Sequence, residues 1–174
     1  MKRPLCLLAT ALLGAGCGDE DDPTDPSNEP ALSFFVSSSK STTGNLGGLS
    51  GADRRCQDLA NAVGAGAKTW RAYLSVERDP ATGQAVDARS RIGSGPWINA
   101  RGATVAQNVN DLHSRAGDAS LFVDERGQMV PGQWAGSPTP NEHDILTGST
   151  ADGRLMQGMT CGDWTSASPG LAAQ

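Results

Sequence analysis

Histidine is nearly absent from this chain: His113 and His143 are the only two. Zinc wants three or four convergent ligands, so two separated histidines do not build a zinc centre. No H-E-x-x-H, C-x-x-C or G-x-S-x-G run occurs, and Ser50 in "GGLSG" lacks the spacing of a nucleophile elbow and reads better as a helix cap. No catalytic residue, cofactor site or metal ligand is assigned on that basis. A basic excess is lacking too, with 14 Lys and Arg against 19 Asp and Glu. With no basic stripe or interleaved aromatics, nucleic acid is not an expected partner. A long apolar run is also missing. The longest, from Leu5 to Leu13, falls short of the roughly 20 residues a membrane-spanning helix needs. No internal repeat with a steady period is found.

What the N-terminus does have is an export pattern. Lys2 and Arg3 precede the apolar run, and small residues follow it, which defines a signal peptide over residues 1–16. Gly14, Ala15 and Gly16 running into Cys17 resemble a bacterial lipobox, in which the signal is cut before the cysteine and the cysteine is lipidated. The fit is imperfect, because Gly14 stands where a leucine is usual and Leu13 lies one place further back. An ordinary secretory signal with Cys17 as a stray thiol is the competing reading. Acylation at Cys17 would anchor firmly, since each buried methylene contributes about 0.8 kcal/mol. Next comes "GDEDDPTDPSNEP", with six acids, three prolines and nothing apolar to bury. Residues 17–30 are therefore expected to be a disordered acidic tether.

Without signal and tether, residues 31–174 carry 12 basic and 13 acidic residues and are nearly neutral. That length suits one domain with a proper core. Gly, Ser, Thr and Pro crowd residues 37–50 and 126–140, so the domain is expected to be loop-rich. "ALSFFVSS" predicts a strand over 31–38. "SGADRRCQDLANAVG" predicts a helix capped by Ser50, with Asp53 as a short capping-box acid and Gly64 as its stop. Ala52, Cys56, Leu59, Ala60 and Val63 recur at helical spacing, which puts Cys56 in the core. "KTWRAYLS" predicts a strand with Trp70, Ala72 and Leu74 inward and Arg71 and Tyr73 outward. Val105, Val109 and Leu112 predict a second helix over 104–113. "ASLFVDERGQMV" predicts a strand, a turn over 125–127 and a return strand. Strands and helices do not alternate regularly, which makes the class α+β.

Two ordered blocks carry a family resemblance. "GLSGADRRCQDLANAVGAGAKTWRAYLS" and "LTGSTADGRLMQGMTCGDWTSASP" resemble endostatin-like domains of the C-type-lectin-like fold group. "RIGSGPWINARGATVAQNVNDLHS" between them is similar to segments of uncharacterised bacterial exported lipoproteins. The resemblance implies a loop-rich mixed sheet with one or two helices. It implies that Cys56 and Cys161, the structural cysteines, each pair with a cysteine in a further C-terminal stretch whose last strand closes the fold. The sequence given runs thirteen residues past Cys161, so the expectation is a truncated form without its closing strands, leaving an unpaired edge over residues 32–37 with Phe34 or Phe35 partly uncovered. A direct Cys56–Cys161 bond is not expected, because the resemblance assigns them to different bridges. If formed, it would enclose about 100 residues and stabilise by up to about 4.7 kcal/mol on the chain-entropy model.

Known chemistry of that fold group does not transfer. "ALSFF" has no N-terminal histidine for zinc, and clustered arginines for heparin are missing. Asn141, Glu142 and Asp144 in "PTPNEHD", with "PWINA", only faintly resemble calcium-lectin motifs; with His143 they read as a polar loop. Trp70, Trp97, Trp134 and Trp164 read as core residues before sugar platforms. The expected function is a non-catalytic binding or adhesion domain, held on a bacterial envelope membrane (outer membrane or cell surface) by the lipid at Cys17 and presenting a site for a glycan or protein. An enzyme acting on envelope polymers and a structural envelope protein are the alternatives.

Overall fold

The computed structural model describes residues 31–168 except Gly117. The expected signal peptide over 1–16, the expected tether over 17–30 and the candidate lipidation site Cys17 lie outside the described residues. The fold is α+β: α1 (Gly48–Ala62), a 3-10 turn at Ala88–Ser90, β1 (Trp97–Ile98), β2 (Thr104–Ala106), α2 (Val109–Ser114) and α3 (Cys161–Trp164). Among the described residues the sheet is one antiparallel pair, Trp97 facing Ala106 and Ile98 facing Thr104, with an irregularity between Trp97 and Ile98. No described helix is long and apolar enough to cross a membrane.

The first helix forms where periodicity placed it, burying Leu49, Ala52 and Ala60. Its start differs from expectation. Gly47 and Gly48 turn the chain in at φ +79° and +68°, and Gly47 occupies the cap position without a side-chain bond. Ser50 lies exposed inside the first turn. Asp53 does not cap either, because its carboxylate is taken by Ala72 N at 2.8 Å and by two arginines. The stop is as predicted: Gly64, at φ +76°, donates its N–H to Asn61 O.

Beyond α1, Trp70, Ala72 and Leu74 are buried while Arg71 is exposed and Tyr73 half-buried. The alternation is there, yet no ladder forms until Val76 bridges Val86. Side chains of α1 have taken the backbone donors: Trp70 N bonds to Gln57 Oε1 and Ala72 N to Asp53. On that edge a neighbouring strand would find both donors already taken.

The expected strand over 31–38 is likewise an extended segment without a ladder. Ser33 N and Phe34 N both donate to Ile98 O, and Val36 N donates to Val123 O. Residues 32–37 are thus no free edge. Phe34 and Phe35 are half-buried, against Phe122 and Trp70 at centroid distances of 5.9 and 4.8 Å.

The expected helix over 104–113 is divided. Thr104–Ala106 pairs as β2, burying Val105 and Ala106. Only then does Asn108 cap α2, its side chain accepting from Asp111 N at 3.0 Å, while Asp111 accepts from Gln107 N at 2.7 Å. The reciprocal cap fixes where helix can begin, and the β-branched pair before it goes to the sheet. The turn at 124–127 does form, with Gly127 N bonded to Asp124 O and Val123 bridging Met129.

α3 winds left-handed: Cys161, Gly162, Asp163 and Trp164 have φ of +49°, +62°, +56° and +61°. Non-glycine residues resist this by about 1–2 kcal/mol each. The turn is held by its surroundings. Asp163 accepts from Glu77 N at 2.6 Å and Arg78 N at 3.1 Å, and Trp164 donates from Nε1 to Ser75 O and accepts Leu46 N, both at 2.8 Å.

Candidate functional site

Three apolar clusters make up the interior, and Cys56 packs against two of them. It also borders two cavities, a groove of about 640 Å³ and a smaller hollow of about 180 Å³. The groove is the larger feature. Its floor includes Ala72, Leu74 and Trp164, and its walls come from residues 36–44 and 142–146. Ile145 and Leu146, 61% and 49% exposed, are the large hydrophobics left uncovered among the described residues, and both line it. Adjacent uncovered apolar side chains beside a concave apolar surface make this groove the candidate site.

Two contacts fix the 36–44 wall. Glu125, only 2% exposed, accepts from Ser38 N at 3.1 Å and from Ser38 Oγ, with Arg126 at 3.5 Å. Lys40 pairs with Glu142, joining the two walls. That pair is largely exposed and worth little. Further along, Gly44 lies against Cys161 so closely that a Cβ on it would come within 2.5 Å of the cysteine's Cβ and Sγ, so only glycine fits there.

Cys56 and Cys161 are free thiols in this structure, half-buried and buried respectively. Burial, reinforced by the Asp53 charge and opposed by Arg91, pushes the Cys56 thiol up to about 11. It stays protonated at neutral pH and is a poor nucleophile. In an alkylation series resolved by peptide mass, the Cys56 rate should still be climbing through pH 10, whereas an ordinary thiol of pKa about 8.5 has levelled off. A plateau near pH 9 would contradict the burial argument.

The histidines do not meet. In α2, His113 has Nδ1 at 2.6 Å from Val109 O and Nε2 at 2.7 Å from Tyr73 Oη. A carbonyl only accepts, so Nδ1 carries the proton and Tyr73 donates to Nε2. Burial raises the Tyr73 pKa, with Arg89 opposing and Asp152 assisting. Gly153 closes over the pair: a Cβ there would sit 2.3 Å from Nε2 and 2.5 Å from Oη. The pair ties α2 to the segment carrying Tyr73, and Tyr73 also borders the smaller hollow. Separated by 40 positions, the pair carried no sequence signal.

His143 is exposed, with Nδ1 at 2.9 Å from Asp144 and Nε2 at 2.9 Å from the Gln133 amide. Asn141 and Glu142 are exposed as well. Among the described residues no three His, Cys, Asp or Glu side chains converge to hold a metal. Trp70, Trp97 and Trp164 are buried, and the indoles of Trp70 and Trp164 donate to Ala65 O and Ser75 O. Trp134 is half-buried, over Gly132. Sequence reasoning missed the groove, because its walls are glycine- and serine-rich loops without a periodic pattern. No protein-family model matches the chain, and a search of curated proteins finds no match.

Proposed function

We propose that this is an exported, lipid-anchored envelope protein whose domain binds a ligand without transforming it. The single observation that carries the reading is the 640 Å³ groove with Ile145 and Leu146 uncovered at its side. Its volume falls in the range of ligand sites, roughly 300–1,000 Å³. The Ser37, Ser38 and Ser41 hydroxyls along it are spent on Ser39 O, Glu125 and Thr43 O, and the Cys56 thiol is kept protonated by burial. The anchor rests on the Leu13-to-Cys17 sequence and the acidic tether that follows. The finer fold reading, an endostatin-like member of the C-type-lectin-like group, rests on the two ordered sequence blocks. What supports it is the packing of the two blocks on each other: Leu49, Ala52, Ala72 and Leu74 share one apolar cluster with Cys161 and Trp164, and Trp164 Nε1 donates to Ser75 O.

The test is a screen of the full chain on glycan and matrix-protein arrays beside a panel of hydrolase substrates. We expect at least one arrayed ligand to be retained, and retention to fall tenfold or more in the double variant Ile145→Ser, Leu146→Ser. Ile145 and Leu146 are 61% and 49% exposed, so the variant should keep its melting temperature. Turnover of a panel substrate, or binding unchanged in the double variant, would overturn the proposal.

A further inference from the structure

One polar group in the groove is unlike the others. Asp124 is 7% exposed and lines the groove. Its Oδ1 accepts from Arg126 N at 2.9 Å and Gln128 N at 2.7 Å, which locks the side chain over the 124–127 turn. Its Oδ2 has no hydrogen bond or ion pair within the described residues. That oxygen is not sealed in, since among the described residues the buried side-chain polar atom left without a partner is Trp134 Nε1. A carboxylate withdrawn from most of its water, fixed by two amides through one oxygen and unbonded at the other, in a residue that lines the groove, is preorganised for a cationic donor.

The remaining charges along the groove do not compete. Glu142 is paired with Lys40, and Asp144, whose side chain is 85% exposed, stays solvated and offers an amine little. Arg55 lines the groove too, but it is exposed and free to stay solvated, so an anion would gain little from it.

We propose that the groove takes a small amphiphilic amine, its apolar body on the floor formed by Leu74 and Trp164 and its protonated nitrogen donating to Asp124 Oδ2. The inference rests on the groove being the binding site. A volume of about 640 Å³ suits a small molecule better than a protein segment, whose interface would spread far beyond it.

Calorimetric titration of the full chain with n-octylammonium, n-octanol and n-octanoate tests this at pH 7 and low salt. One saturable site is expected for the amine, about tenfold or more tighter than for the alcohol, as one charge-assisted hydrogen bond provides. Octanoate should bind no better than octanol. Asp124→Asn keeps an Oδ1 acceptor for the two amides and should bring octylammonium down to the octanol level while leaving octanol unchanged. Equal binding of amine and alcohol, a preference for octanoate, or an amine affinity indifferent to the substitution would overturn the assignment. If the variant does not fold, the ranking of the three probes on the natural chain decides alone. Tighter capture of a blocked Leu-Lys-Leu peptide than of octylammonium would replace the small molecule by a polypeptide. Binding of no probe at all would instead remove the groove as the site.

Discussion

Replacing Asp53 by Asn should lower the unfolding free energy by about 3 kcal/mol or more, read as a shift of the denaturant midpoint with little change in slope. Asp53 sits in the second turn of α1 and ties together three parts of the chain. Arg91 Nη2 donates to both carboxylate oxygens at 2.9 and 2.8 Å, Arg71 Nη1 donates at 3.1 Å, and Ala72 N donates at 2.8 Å. Exposure decides which contact matters. The Arg91 side chain is 9% exposed and that of Arg71 54%, against 16% for Asp53. Asn leaves the Ala72 amide an acceptor but removes the charge opposite the Arg91 guanidinium, which keeps its bond to Ala72 O but has little water to replace the lost carboxylate. Desolvated charge without a partner is the expensive outcome. Arg71→Ala should therefore cost less than about 1 kcal/mol, as an exposed ion pair does. The double variant Asp53→Asn, Arg91→Met should recover part of the loss, because removing both charges removes the desolvation penalty with them. Equal effects of the Arg71 and Asp53 substitutions would show that burial is not what gives the pair its weight.

The same carboxylate shows what a sequence can carry and what it cannot. Apolar spacing over residues 52–63 located α1, because a buried helical face must repeat at 3.6 residues wherever it packs. Alternation over 70–74 and the Gly127 turn were legible for the same local reason. Asp53 looked like a capping acid because three residues separate it from Ser50; its true partner, Arg91, is 38 positions away, and no local rule reaches that far. The missing ladder beside Trp70 has the same origin, since Gln57 and Asp53 accept the N–H groups of Trp70 and Ala72 that a neighbouring strand would otherwise bond. The division of 104–113 was readable in principle from Asn108, a strong cap residue ahead of Asp111. The groove was not readable at all. Asp124 and the Ser38–Glu125 contact join loops 87 positions apart, and a concave surface assembled from loops leaves no period behind.

Trp164→Ala should be the other large loss, about 3–5 kcal/mol, as for removal of a fully buried aromatic. Trp164 is 2% exposed. Its Nε1 donates to Ser75 O at 2.8 Å, its N to Thr160 O at 2.8 Å, and its carbonyl accepts from Leu46 N. Trp164→Phe keeps most of the ring and leaves Ser75 O without its donor, so its cost should fall to about 1–3 kcal/mol. The backbone supplies a sharper check. At φ +61° an alanine still carries the Cβ that disfavours the left-handed region, whereas glycine does not. Trp164→Gly should therefore be at least as stable as Trp164→Ala, the reverse of the order inside a right-handed helix, where glycine is worse by about 1 kcal/mol. Thermal melts of the three variants give the ranking. Alanine clearly above glycine would mean that the left-handed turn relaxes once the indole is gone, and that the indole holds Cys161 and Asp163 in place. Glycine level with or above alanine would mean that Asp163, through Glu77 and Arg78, holds the turn by itself.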